Sequence, residues 1–182
     1  VIAAAWQAEV PFISHFCEKP RRELLSPGQT PQRAGLIGMV YSLIHQLLQF
    51  NLEDGDLDLT RGRLQQLDGS DDSWESTLPL FDDLLAHTPF LPCCVIHGLN
   101  SLEWSTGADW CDDFLNALFQ HQEESSSAFS LLFTTSGQPK LLSRWVPVTN
   151  RLLATMSMRQ VERRGKRLEL RPSERNPEDK EL

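Results

Sequence analysis

Several things are missing from this 182-residue chain, and each absence removes a class of function. No apolar run approaches the roughly 18 residues of a membrane span. The opening Val1-Ile2-Ala3-Ala4-Ala5-Trp6-Gln7 has neither the basic start nor the long apolar stretch of a secretory leader. A protein outside the membrane, in the cytoplasm, is predicted. The four cysteines, Cys17, Cys93, Cys94 and Cys111, form no C-x-x-C pair and no spacing of a disulfide framework or zinc finger, which fits a reducing compartment. His15 and Cys17 share one face of a predicted strand, but nothing nearby supplies further ligands, so they read as core or pocket lining and no metal site is expected. Neither the H-x-E and P-C-x-x-C pattern of zinc deaminases nor a G-x-S-x-G elbow occurs. There is no excess of positive charge either: the formal net charge is -8, with acids concentrated from Glu53 to Asp113 and bases after Arg159. Nucleic acid is therefore an unexpected partner. The run Arg163-Arg164-Gly165-Lys166-Arg167 is interspersed with Glu162, Glu169, Glu174 and Glu178 and reads as a solvated tail.

The remaining pattern is that of an α/β domain. Phe12 to Cys17 has strand composition and is closed by Pro20 and a polar stretch to Gln32. Leu36, Val40, Leu43 and Leu47 recur at helical spacing, widened by Ile37, Ile44 and Leu48, with His45, Gln46 and Gln49 on the polar face. From Asn51 to Ser73 the chain turns acidic and glycine-bearing, predicting a loop around a short helix near Arg61 to Leu67. Asp54, Asp56 and Asp58 superficially follow a calcium loop, but the Gly and distal Glu of an EF-hand are out of place. Asp72-Ser73 is suited to cap a helix whose buried stripe is Trp74, Leu78, Phe81, Leu84 and Leu85, ending before Pro89. The apolar run Leu91 to Ile96 reads as a buried strand. It is followed by a helix through Trp110, Phe114, Leu115, Leu118 and Phe119, a serine run at 125–127, and a second apolar strand, Phe129 to Phe133. Strands joined by helices of this length require parallel, right-handed crossovers, so a three-layer α/β sheet is expected, followed by a charged tail over 159–182 with little stable structure.

The most informative stretch is Val95-Ile96-His97-Gly98-Leu99-Asn100-Ser101-Leu102-Glu103, where an apolar strand ends at polar residues and a Gly. With the helix Gly35-Leu36-Ile37-Gly38-Met39-Val40-Tyr41-Ser42-Leu43-Ile44-His45-Gln46-Leu47-Leu48 and the segment Leu131-Leu132-Phe133-Thr134-Thr135-Ser136, it resembles, in order and separation, the fungal NACHT-type STAND nucleoside triphosphatases. The resemblance covers Val1 to Arg159 and implies a P-loop-NTPase-like parallel sheet over 1–158, incomplete at its N-terminal side. In that family the Walker B strand runs into Asp-Gly-Leu-Asp-Glu, whose acids hold magnesium and polarise water. Here His97 stands at the first Asp, and Asn100 and Ser101 at the second Asp and the Glu. Glu103, two residues on, is the one catalytic candidate, with Asp82, Asp83 or Asp109 as acids that would have to compensate from elsewhere. The sensor segment of the family ends in Thr-Ser-Arg-Pro. This chain has Thr135-Ser136-Gly137-Gln138-Pro139, whose hydroxyls either bond a phosphate or water, or cap the turn at Gly137.

No G-x-x-x-x-G-K-[ST] occurs, and the one Gly-Lys pair, Gly165-Lys166, is followed by Arg167. The resemblance places that loop before Val1, so ATP and magnesium are expected cofactors only with an upstream P-loop, and none for the chain as it stands. Three readings stay open. The first is the central fragment of a nucleotide-dependent signalling switch, unable to hydrolyse ATP, acting through protein partners or self-assembly by flanking domains. The second is an inert α/β interaction module on an NTPase-derived scaffold. The third is an ATPase with an upstream P-loop and Glu103 as activating acid. A core without its first strand and P-loop helix is expected to leave one sheet edge and one sheet face uncovered.

Overall fold

In the computed structural model, the structure describes residues 10–50, 59–125 and 128–152. The chain divides into two units, Val1–Pro147 and Val148–Leu182. Of the second, the described part is a 3-10 turn over Val148–Asn150 and the two residues after it. The acids Asp54, Asp56 and Asp58 of the expected acidic loop, the opening segment, Ser126 and Ser127, and the tail over 159–182 lie outside the described residues.

The first unit is a mixed α/β structure built on a three-stranded parallel sheet in the order β1-β2-β3. β1 spans Ile13–Phe16, β2 Cys93–His97 and β3 Ser130–Thr134. The helices are α1 (Pro31–Phe50), α2 (Arg61–Gln65), α3 (Trp74–Ala86), α4 (Ala108–Glu124) and α5 (Leu142–Trp145). The register pairs Ile13 with Cys94 and Cys94 with Leu131, then Phe16 with His97 and His97 with Thr134. Successive side chains alternate between faces. Ile13, Cys94, Ile96, Leu131 and Phe133 therefore share the face that meets the helices, and the first three of them belong to the buried core. α1 contributes Leu36, Met39, Val40, Leu43 and Leu47, α3 contributes Leu80, Phe81, Leu84 and Leu85, and α4 contributes Phe114, Leu115 and Leu118. Each such side chain, fully buried, stabilises the fold by about 1.5–3 kcal/mol.

Both connections step across the sheet in the same direction, so right-handed crossovers place their helices on one face. α1 packs on β1 and α3, and α3 on α4, accordingly. The described residues thus supply two of the three expected layers. Val95 and Leu132, on the other face, stand outside the shared core cluster. The edges also differ. The outer edge of β1 is occupied by Gln46 of α1, whose Nε2 donates to Ser14 O and whose Oε1 accepts Ser14 N–H, both at 2.9 Å. β3 has no strand partner on its outer edge among the described residues.

One local expectation is corrected. Ser73 does not cap α3: it has helical dihedrals within a 3-10 turn over Asp71–Ser73, and its hydroxyl donates to Ser70 O at 2.7 Å. Gln46, on the polar face of α1, does more than meet solvent: its amide closes the edge of β1. His45 is exposed as expected. No described helix is long and apolar enough to cross a membrane.

A cluster at the start of the helices fixes their positions. The Arg33 guanidinium lies 4.6 Å over the Trp110 ring, and Trp110 stacks on Trp74 at 4.6 Å. Arg33 also pairs with Asp71 at 2.9 Å and donates to Thr106 O at 3.1 Å. One residue of α1 thereby holds the beginnings of α3 and α4, and the loop before α4, in place.

Candidate functional site at the carboxyl edge of the sheet

The three parallel strands deliver Phe16, His97 and Thr134 to one row at their carboxyl ends. Ligand crevices of open α/β sheets form at this edge. The Phe16 ring, 59% exposed, lies 5.3 Å from the His97 ring. His97 Nδ1 and the Thr134 hydroxyl are 2.7 Å apart and hydrogen-bonded. Main-chain bonds hold the row together: Cys17 N–H donates to His97 O, and Gly98 N–H to Thr134 O, each at 2.7 Å.

Gly98 then turns the chain with φ +77, a left-handed conformation that favours glycine. A Cβ there would meet Cys17 O at 3.2 Å. The chain continues into a 3-10 turn over Leu99–Ser101 whose apolar anchor, Leu99, is buried. Asn100 Nδ2 donates to Ser136 O at 2.8 Å, tying the β2 loop to the β3 loop. Asn100 O accepts the Trp104 indole N–H at 2.9 Å, and Lys140 Nζ sits 4.1 Å over the Trp104 ring. Asn100 Oδ1 and Ser101 Oγ are buried without a hydrogen-bond partner.

Glu103 is 4% exposed. Its Oε1 accepts the Lys140 N–H at 2.6 Å and its Oε2 the Leu141 N–H at 2.9 Å. Those amides lead into α5, where orphan N–H groups and the positive end of the peptide dipoles favour a carboxylate. Thr135 Oγ1 donates to Gly137 O at 3.3 Å, across a turn in which Gly137 takes φ +94. Asp83 pairs with Arg63, and Asp82 lines a surface groove between α3 and α4. Both lie on α3, which runs back toward the amino end of β2, away from this edge. Asp109 is in the first turn of α4.

Of the residues singled out from sequence, His97 ends β2 beside Thr134, and Asn100 and Ser136 are brought together on the loops after β2 and β3. Ser101 points inward, Thr135 engages its own turn, and Glu103 is held between two amides. Phe16, Thr134, Trp104 and Lys140 were not anticipated. Thr134 becomes visible only once the β2–β3 register sets it beside His97, whereas the Trp104 and Lys140 pairing depends on two loops meeting in space. Among the described residues no three His, Cys, Asp or Glu side chains converge to hold a metal ion. The cysteines are free thiols. Burial pushes the Cys17 thiol up to about 12. It also pushes Cys94 and Cys111 well above the usual thiol range, Cys111 being further raised by the nearby Glu103 carboxylate. Thiols that stay protonated in this way are poor nucleophiles and poor metal ligands.

Compared with known proteins, this chain matches no family, no curated protein and no solved structure.

Proposed function

We propose that this chain is the central part of a NACHT-like nucleotide-dependent switch, cytoplasmic, built on a P-loop-NTPase-like sheet whose carboxyl edge no longer performs hydrolysis. One observation carries the reading. At the strand end where metal-binding and water-polarising acids would stand, His97 and Asn100 are bonded to the neighbouring strand and its loop, and Glu103, the acid two residues past Ser101, has both oxygens on backbone amides. Such an edge can bind and sense, but Glu103 as held is not free to activate water, because reacting groups must be placed to within about 1 Å. An active ATPase would need Glu103 to leave two charge-assisted hydrogen bonds and an almost water-free position. Signalling then depends on assembly with protein partners rather than on turnover, and ATP with magnesium acts as a regulatory ligand where a phosphate-binding loop is supplied.

A second reading, a protein-interaction module without nucleotide, is favoured by the aromatic side chains at the same edge, Phe16 at 59% and Trp104 at 42% exposure. Thermal melts and phosphate release with and without magnesium-ATP separate the readings. With an upstream phosphate-binding loop supplied, the switch is expected to show no magnesium-dependent phosphate release but a melting temperature raised by ATP, whereas the interaction module shows no release and no shift. Magnesium-dependent hydrolysis that E103Q abolishes, with the cooperative melt retained, would overturn both and restore the ATPase.

A further inference from the structure

Helices α3 and α4 pack side by side, and their outward stripes frame a groove of about 300 Å³ on the helical side of the unit. Its apolar lining is Leu78, Pro79 and Ala117, and its polar lining is Asp82, Asp113, Asn116 and Gln120. The stripes are continuous: Glu75, Leu78, Pro79 and Asp82 follow one another on α3, and Asp109, Asp113, Asn116, Ala117, Gln120 and Glu124 on α4, all at helical spacing. Their α4 portion is about 22 Å long at 1.5 Å per residue.

The charge of this groove is one-sided. No Lys or Arg occurs between Leu64 and Pro139. Several acids in that interval have partners within the fold: Asp71 takes Arg33, Asp83 takes Arg63, Asp112 accepts the Trp145 indole, and Glu103 accepts two amides. Asp82 on α3 and Asp113 on α4 both line the groove and have no salt-bridge partner among the described residues. Burial raises the Asp82 carboxyl above the usual range, and Asp83 and Glu124 raise it further, with His121 acting in the opposite sense. Two acids thus flank an apolar strip with no ion pair among the described residues, His121 acting at a distance in favour of the Asp82 charge. A groove between two packed helices is the shape into which the ridge of a third helix fits.

We propose that the α3–α4 groove is the docking site for a basic amphipathic helix of a partner protein. The apolar residues of that helix seat on Leu78, Pro79 and Ala117, and its Lys or Arg side chains, one turn apart, reach Asp82 and Asp113. The site is separate from the carboxyl edge, and its occupation does not require nucleotide. Charge complementarity selects the partner: an acidic or neutral helix would leave both carboxylates desolvated and unpaired, a repulsive cost that acts as discrimination.

The test is selection of a displayed library of random 16-residue peptides on the intact chain at low salt, followed by titration of the enriched peptides against the wild type and D82N/D113N. The enriched peptides are expected to carry Lys or Arg at i and i+4 beside Leu, Ile or Met. Their affinity is expected to fall about tenfold in the double variant and to weaken with added salt. Backbone amide signals of Leu78 and Ala117 are expected to shift on binding. Both aspartates are exposed, so the double variant keeps its far-ultraviolet spectrum and cooperative melt. Four results would overturn the proposal: no enrichment, enriched peptides without basic residues, binding indifferent to D82N/D113N, or spermine alone binding as tightly as the peptides. Self-association of the chain that D82N/D113N abolishes would overturn it too, by making a second copy the occupant.

Discussion

Both oxygens of Glu103 are engaged with backbone amides, so removing its charge should be felt first in stability. Hydrogen bonds to a charged group contribute roughly 1.5–3 kcal/mol each, and a neutral amide at the same place keeps one acceptor and loses the charge. E103Q is therefore expected to cost about 2 kcal/mol, measured by denaturant titration. A stability unchanged by the substitution would mean that the two bonds are weak in solution and that the carboxylate is available. The buried thiols make a second residue-scale case. Cys17 has its thiol raised from 9.0 to about 12, and Cys94 and Cys111 are raised by burial in the same direction. Each group binds its proton more tightly when folded, so its contribution to stability is intact below the unfolded pKa and is lost as pH rises through the folded one. The melting temperature is expected to decline from about pH 9 upward, toward pH 12. At pH 8 a thiol reagent is expected to reach Cys93, which is only half-buried, well before the other three. Equal reactivity at all four would contradict the packing of this core.

At the scale of elements, the sheet is defended at one edge by a side chain from a helix. Gln46 makes the two hydrogen bonds to Ser14 that a neighbouring strand would make, and also donates to Ser42 O at 3.0 Å, which fixes its rotamer. An edge covered in this way is a poor template for strand addition. Q46A is expected to cost about 1–2 kcal/mol, from two lost hydrogen bonds of roughly 0.5–1.5 kcal/mol each with the freed backbone partly rehydrated. It is also expected to accelerate hydrogen exchange at the Ser14 amide, with little change at Cys94 or Leu131. Exchange unchanged at Ser14 would show that the amide is protected by something other than this side chain. Sequence periodicity put Gln46 on the polar side of α1 and stopped there. The same helix position, seen in space, is where α1 passes the edge of β1.

For the whole molecule, charge is distributed unevenly: a formal net charge of -8, with the interval from Leu64 to Pro139 free of Lys and Arg. Self-repulsion of this kind lowers stability and is relieved by salt or by neutralising an unpaired acid. Burial, with the repulsion of Asp83 and Glu124, raises the Asp82 carboxyl, so its ionisation opposes folding and the stability it contributes is lost as pH rises through its folded pKa. D82N/D113N is accordingly expected to raise the melting temperature at pH 7 by a few degrees at low salt, and less at high salt. A fall in melting temperature would mean that the aspartates make stabilising contacts within the unit.

Periodicity alone determined the order of strands and helices, because a 2-residue or 3.6-residue repeat of apolar side chains is a local property that survives without coordinates. It also located the strand end at His97, since an apolar run that stops at Gly98 marks where a buried strand leaves the core. The sequence could not assign the jobs of the polar residues at that edge. Whether a carboxylate such as Glu103 faces solvent or two amides, whether Thr134 stands beside His97, and whether Lys140 finds Trp104 all depend on which loops meet, and those pairs are separated by more than thirty positions along the chain. Register and crossover hand fix those meetings, and both are set by packing of the sheet against its helices. Tertiary structure therefore decided the chemistry of the site, because hydrogen bonding and desolvation act across space, while sequence patterning records only which side of each element is apolar.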